Sequence, residues 1–380
     1  MAVQLTHKQR VLRCTGWQPY DRVPIYSPIP FDADAWGEGR LTPWQDHPNY
    51  RRVAEVVAEH CTHPGRYRSA GTLFSRAHML IPDECVERSR EQRDGSVFIS
   101  TVVHTPKGDL TSLQRSDRNV HTTWMLEPLV KTEADAEAIL SVPFEPNLPD
   151  PEPFGRERRA WGERGLIELS VSTPMVCVSN MMHFDTFLEW TASNRPLIER
   201  LIGTVYERIR LRLEHLLRAG VIECIWLGGS EQATPPMMSR AFYEQLVVRY
   251  DGPLMELAKS HGALVHVHCH GKIGGVIDLM MEMGADMTDP VEPPPDGDID
   301  FAEAKRRCRR RMVLMGNIEL RHLEYCTRSE IDEMVRRAIV EGGREGMMLY
   351  PSAVPLTWMS DNVSDNCLQY MESALKYGGM

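Results

Sequence analysis

No stretch of about 18 consecutive apolar residues occurs in the chain, so the sequence predicts no membrane span. The first ten residues, Met1 to Arg10, lack the apolar core of a signal peptide. The nine cysteines are scattered, and none forms a Cys-x-x-Cys pair. An odd number in a chain this long reads as reduced thiols in a reducing compartment, not as a disulfide framework. A basic excess is also missing. Lys and Arg total 43 against 53 Asp and Glu, giving a net charge of -10 with both signs interspersed. That distribution speaks against a nucleic-acid partner, which would need a basic face. Internal repeats and low-complexity segments are absent too. The expectation is a cytoplasmic protein without membrane contact.

What is present is enough apolar residue, 42% of 380, for a sizeable core. One domain over residues 1–380 is expected. The most informative stretch runs from Ala263 to Gly271, Ala-Leu-Val-His-Val-His-Cys-His-Gly. It reads as a buried strand, and side chains on a strand alternate faces. His266, His268 and His270 then share one face, while Cys269 points away with Val265 and Val267. Each buried imidazole nitrogen needs a partner, and three rings together need a shared one. A metal ion is the simplest such partner. The alternative is a polar network around an anionic substrate. His266 lies one layer deeper and reads as a hydrogen-bonded core residue.

The rest of the chain falls into order around that strand. Val23 to Tyr26 reads as a first strand and Trp44 to Cys61 as a helix. Ser96 to Val103, Leu110 to Gln114 and Val120 to Met125 form an antiparallel excursion within residues 95–130. A helix covers Glu133 to Leu140, and the proline-rich stretch from Val142 to Pro153 reads as a connector. From Gly165 onward strands and helices alternate in at least six units. That pattern predicts a parallel sheet, and the count favours a closed (β/α)8 barrel of α/β class. Polar residues fall at successive strand ends: Glu231, His268, His270, Glu292, Asn317 and Ser352. Active sites of such barrels collect there.

Several of these residues carry a family resemblance. Thr6-His-Lys-Gln-Arg-Val-Leu, followed by Asp21-Arg-Val-Pro-Ile, is similar to the opening of uroporphyrinogen decarboxylase-like proteins. His268-Cys-His270-Gly resembles that family's His-x-Cys-Gly strand end. Gly284-Ala-Asp, Gly316-Asn-Ile and Pro355 through Asn362 resemble its later landmarks. The resemblance implies a (β/α)8 barrel and two branches of chemistry. The decarboxylase branch uses an arginine-rich loop of the type Arg-Gln-Ala-Gly-Arg. The matching region here, Ser27 to Asp34, carries acids and no arginine, so a substrate rich in carboxylates would be repelled.

The methyltransferase branch implies a zinc site, a corrinoid carried by a separate protein and a small methylated substrate or acceptor. Mapped onto this chain, the metal ligands are His268, His270 in the family's cysteine position, and Glu292. The late cysteine position falls on Ser352. Both family thiolates are gone, so two imidazoles and a carboxylate would suit zinc, iron or manganese. Glu292 can be read as the third ligand or as a carboxylate that orients a histidine. Glu231, Asn317 and Ser352 are the candidate catalytic and substrate-holding residues, with loop capping as the bland reading of the first two. Corrinoid-linked methyl transfer is the expectation, with a homodimer allowed. The alternatives are a lyase or decarboxylase of a small organic acid, and a non-catalytic binding barrel.

Overall fold

The computed structural model describes residues 4–42, 44–74, 81–117, 122–355 and 358–379. Seven strands form one parallel sheet: β1 (Gly65–Arg66), β6 (Ile167–Ser172), β7 (Cys224–Gly228), β8 (Leu264–His268), β9 (Met287–Val291), β10 (Val313–Ile318) and β11 (Met347–Pro351). They pair in that order, each with the next in sequence. An eighth segment closes the ring. Ile25 bridges Leu349 of β11 and Tyr26 bridges Thr62 beside β1, both in parallel. The bonds are Tyr26 N–H to the Leu349 carbonyl at 2.9 Å and Thr62 N–H to the Ile25 carbonyl at 2.7 Å. The expected closed barrel is therefore the fold. The strand at Gly65–Arg66 was not legible, because two residues between Pro64 and Tyr67 carry no alternating pattern.

Alternation along the strands creates two cores. Ile167, Leu169, Val171, Ile225, Val265 and Val267 face the surrounding helices and join the large outer core. Cys224, Met287, Val313, Met315 and Met348 face inward and form a smaller inner core with Val11 and Cys14. Those last two come from the N-terminal helix His7–Thr15, which plugs one end of the barrel. Thr6 caps that helix in a capping box with Gln9. Arg10, 2% exposed, anchors it through a 2.7 Å ion pair with Asp21. The other end of the barrel, at the carboxyl ends of the strands, is left open for chemistry.

Outside the barrel, β2 (Val86–Arg93), β3 (Ser96–Thr105), β4 (Gly108–Asp117) and β5 (Thr123–Glu127) form an antiparallel sheet. This is the expected excursion with one additional strand. Val86–Arg93 is mostly charged and has no apolar face, which hid it. The expected strand from Val120 begins outside the described residues, and its remainder is β5. The proline-rich connector is corrected in part: Pro151–Trp161 is a helix, N-capped by Asp150. Proline in the first helical turn costs no hydrogen bond, so it starts this helix instead of breaking it. Among the described residues, no helix is long and apolar enough to cross a membrane.

Candidate active site at the open end of the barrel

The inward positions above the apolar inner core are polar. Register places Arg66 beside Glu168, Trp226 beside His266, and His268 beside Asp289. Apart from Trp226, these side chains form a connected row across the lumen, in which Arg66, Glu168, His266 and Asp289 alternate in charge. Arg66 pairs with Glu168 Oε2. Glu168 Oε1 meets His266 Nδ1 at 2.8 Å. His266 Nε2 stands 2.6 Å from Asp289 Oδ1, and Asp289 Oδ2 meets His268 Nδ1 at 2.9 Å. Burial alone would strip the proton from His266, but its two flanking carboxylates raise its pKa to about 9. Burial opposes the charge on Asp289 as well, yet His268 and His266 hold its carboxyl well below the usual range. His266 is thus a hydrogen-bonded core residue, as its deeper position on the strand suggested, and its two carboxylate neighbours favour the imidazolium form.

His268 and His270 sit higher and are solvent-accessible, 19% and 37% exposed in their side chains. Their rings stand edge to face, 4.7 Å apart. His270 Nδ1 meets Glu292 Oε1 at 3.1 Å, while Glu292 Oε2 accepts the Gly271 N–H at 2.6 Å. Burial lowers and Glu292 raises the His270 pKa, and the net shift is upward. Both histidines are therefore held through Nδ1 by a carboxylate. Neither Nε2 has a hydrogen-bond partner among the described residues. This is the arrangement by which outer carboxylates orient histidine ligands and fix their tautomers. Both Glu292 oxygens are engaged, one with His270 and one with Gly271. These are the contacts of the orienting role, one of the two readings the sequence offers for Glu292.

Glu231 follows β7, on the short 3-10 turn Ser230–Ala233. Gly229 makes that turn at φ 110°, and a side chain there would overlap Val176. Glu231 Oε2 is buried with no hydrogen-bond partner among the described residues, and its charge acts on His270. Asn317 pairs in register with Tyr350 and lines a cleft with Pro293, Pro294, His322 and Arg337. Ser352 is 8% exposed, and its N–H donates to the Ile318 carbonyl at 2.8 Å. Among the described residues, no hydrogen bond or ion pair joins Asn317 or Ser352 to the histidines. Cys269 is fully buried on the helix side, and burial pushes its thiol pKa up.

Glu168, Asp289, Arg66, Trp226 and Tyr350 were not singled out from the sequence. The first two left a signal, as acids at inward-facing positions within the apolar strands Ile167–Ser172 and Met287–Val291. Among the described residues, no three His, Cys, Asp or Glu side chains are grouped so as to hold a metal ion by themselves.

Residues 166–351 match the uroporphyrinogen decarboxylase (URO-D) family. No curated protein matches the sequence. Among solved structures, a methyltransferase from Methanosarcina mazei shares 15% identity and a TM-score of 0.59, over 98% of this chain and 99% of its own. A B12-independent methionine synthase from Shewanella sp. W3-18-1 shares 11% identity, with a TM-score of 0.40 over 93% of this chain and 97% of its own. A putative one from Listeria monocytogenes shares 14%, with a TM-score of 0.43 over 95% and 99%. The first of these likenesses bears on the fold. The match to the URO-D family thus spans just under half of the chain, and that half holds six of the eight barrel strands and the whole histidine cluster.

Proposed function

We propose that the protein is a metal-dependent methyltransferase that moves a methyl group between a small methylated compound and a corrinoid carried by a separate protein. One observation carries this reading. His268 and His270 are each gripped at Nδ1 by a carboxylate, which leaves two oriented Nε2 lone pairs at the open end of the barrel. The likeness to the Methanosarcina methyltransferase and the match of residues 166–351 to the URO-D family support it.

The donor set fits a divalent ion. The Nε2 atoms of His268 and His270 would supply two nitrogen ligands. Glu231 keeps a free buried oxygen nearby, and the remaining positions stay open for water and substrate. Zinc is the proposed metal, although a nitrogen and oxygen set without thiolate does not select it over iron or manganese. When bound, the ion supplies a Lewis acid at the heteroatom that carries or receives the methyl group.

The chain's own residues do the rest. Asp289 and Glu292 fix the tautomers, so that Nδ1 of each ring carries the proton and Nε2 presents its lone pair. The His266 imidazolium keeps Asp289 ionised and stationary from below. Trp226, whose ring centre lies 4.8 Å from that of His268, walls one side of the histidine pair. Glu231 is placed to hold substrate or to take up and return a proton at its free Oε2.

Purified protein incubated with corrinoid proteins from the same genome, followed by the cobalt absorbance bands, tests the reading. Methylation or demethylation of at least one corrinoid is expected, together with about one metal ion per chain. No transfer with any of them, alongside turnover without corrinoid, refutes it.

A further inference from the structure

Ser170 lies in the middle of β6, in the interior of the sheet, yet it is exposed, while its neighbours Leu169 and Val171 are fully buried. An exposed residue there can face only a water-filled lumen, since alternate residues of a strand point to opposite sides. Arg66 confirms that lumen. It projects from β1 into the barrel, where it feels the charges of Glu168, Tyr350 and Asp289 from three other strands. Its side chain is nevertheless 43% exposed. The well thus descends past the histidine pair to the layer of Arg66 and Ser170.

We propose that this lower part of the well is an anion subsite, in which the free edge of the Arg66 guanidinium and the Ser170 hydroxyl bind a carboxylate of the substrate. The inference rests on the methyltransferase reading only in placing the acid in the same well. Arg66 uses NH1 to meet Glu168. Its NH2 and Nε have no partner among the described residues, and two parallel N–H groups of one guanidinium match a carboxylate. The guanidinium is also fixed in place, because its carbon lies 4.9 Å from the centre of the Trp226 ring. Ser170 pairs in register with Trp226 on one side and stands one inward position above Glu168 on its own strand. Its hydroxyl, likewise without a partner among the described residues, supplies a second donor.

Charge order points to the same ligand. The row Arg66, Glu168, His266, Asp289 alternates in sign and ends at Arg66 in a cation open to water. An anion beyond Arg66 continues the alternation, whereas an ammonium group would meet a like charge. Trp226 touches both ends of the well, Arg66 at 4.9 Å and His268 at 4.8 Å from its ring. A molecule anchored at Arg66 therefore needs only to pass the edge of one indole to bring its other end to the histidines. The substrate class is a small acid with the reacting group a few bonds from its carboxylate, not a neutral alcohol or a free methylamine.

Calorimetric titration of the whole protein with methoxyacetate and 2-methoxybenzoate, against the two corresponding amides, tests this without any methyl transfer. Each acid is expected to bind on the order of ten- to a hundredfold tighter than its amide, the range for charge-assisted hydrogen bonds. Arg66→Gln should abolish that preference. Arg66→Lys, which keeps the charge and loses the fork, should retain part of it, and Ser170→Ala should weaken acid binding several-fold. The last two variants leave a cation beside Glu168 and keep the test valid if Arg66→Gln does not fold. Equal binding of acid and amide, no saturable binding of either acid, or wild-type preference in Arg66→Lys and Ser170→Ala together overturns the subsite. An acid preference that depends on Arg66 in a protein that decarboxylates the ligand, or transfers no methyl group, sinks the methyltransferase reading and leaves the subsite standing.

Discussion

His7 and His63 lie at the plugged end of the barrel, with ring centres 6.3 Å apart. Each keeps a buried ring nitrogen without a hydrogen-bond partner among the described residues, His7 Nδ1 and His63 Nε2. Burial lowers both pKa values to about 4. The Arg10 and Arg22 charges add to the effect at His7, and His7 itself adds to it at His63. The unfolded chain titrates these groups near 6.5 and so binds more protons than the folded one between about 4 and 6.5. Stability should therefore be complete above that window and fall as pH drops through it. Melting temperatures from pH 7 to 4 check this, and His63→Phe, which keeps a ring against Phe31, should flatten part of the slope. At the open end, Glu292→Gln should lower metal affinity about 10–100-fold, the usual cost of an outer partner. His270→Ala should remove most of the metal, and Cys269→Ala should change nothing; elemental analysis of dialysed protein reads all three. Period-two alternation was enough to put His268 and His270 side by side and to turn Cys269 outward. It could not assign Glu292, because the choice between ligand and orienter lies in where two oxygens point. Arg66 escaped notice because the strand that carries it was itself not legible.

The closing segment Ile25–Tyr26 is as short as β1 and holds each neighbour by a single bridge. Ile25 is 2% exposed in the outer core. Ile25→Ala should cost about 2–5 kcal/mol, the range for truncating a buried aliphatic residue. Denaturant unfolding checks the value, and a loss below about 1 kcal/mol would mean that the ring tolerates a gap there. The regular half of the molecule was readable because each βα unit after Gly165 repeats an apolar strand, a turn and an amphipathic helix. Arg195–Arg218 and Asp361–Tyr377 are two of those helices. Strand Gly65–Arg66 could not be read, since its conformation is imposed by the two strands it joins. Helix Pro151–Trp161 buries only Phe154 and Gly155, too narrow a face to leave a period, although Asp150 followed by proline was a start signal.

Across the whole molecule, two apolar layers enclose a third that is ionic. The outer core lies between sheet and helices and the inner core against the N-terminal plug; above the latter runs the row from Arg66 to His268. Each carboxylate in that row serves two partners, Glu168 meeting Arg66 and His266, and Asp289 meeting His266 and His268. Glu168→Gln alone should cost about 3–5 kcal/mol, the loss expected when a buried pair is broken from one side. Adding His266→Gln should cost far less than a second independent loss, because the stranded imidazolium goes with it. A double-mutant cycle by equilibrium unfolding measures the coupling, expected at about 0.5–3 kcal/mol; strict additivity would mean that the row is not ionised as described. The wider consequence concerns descent. A site wired in this way resists change one residue at a time, because each single replacement orphans a neighbour. New substrates are more accessible through residues at the loose ends of the row, Arg66 below and the loop acids above. The middle of the barrel can then outlast several changes of trade at its mouth.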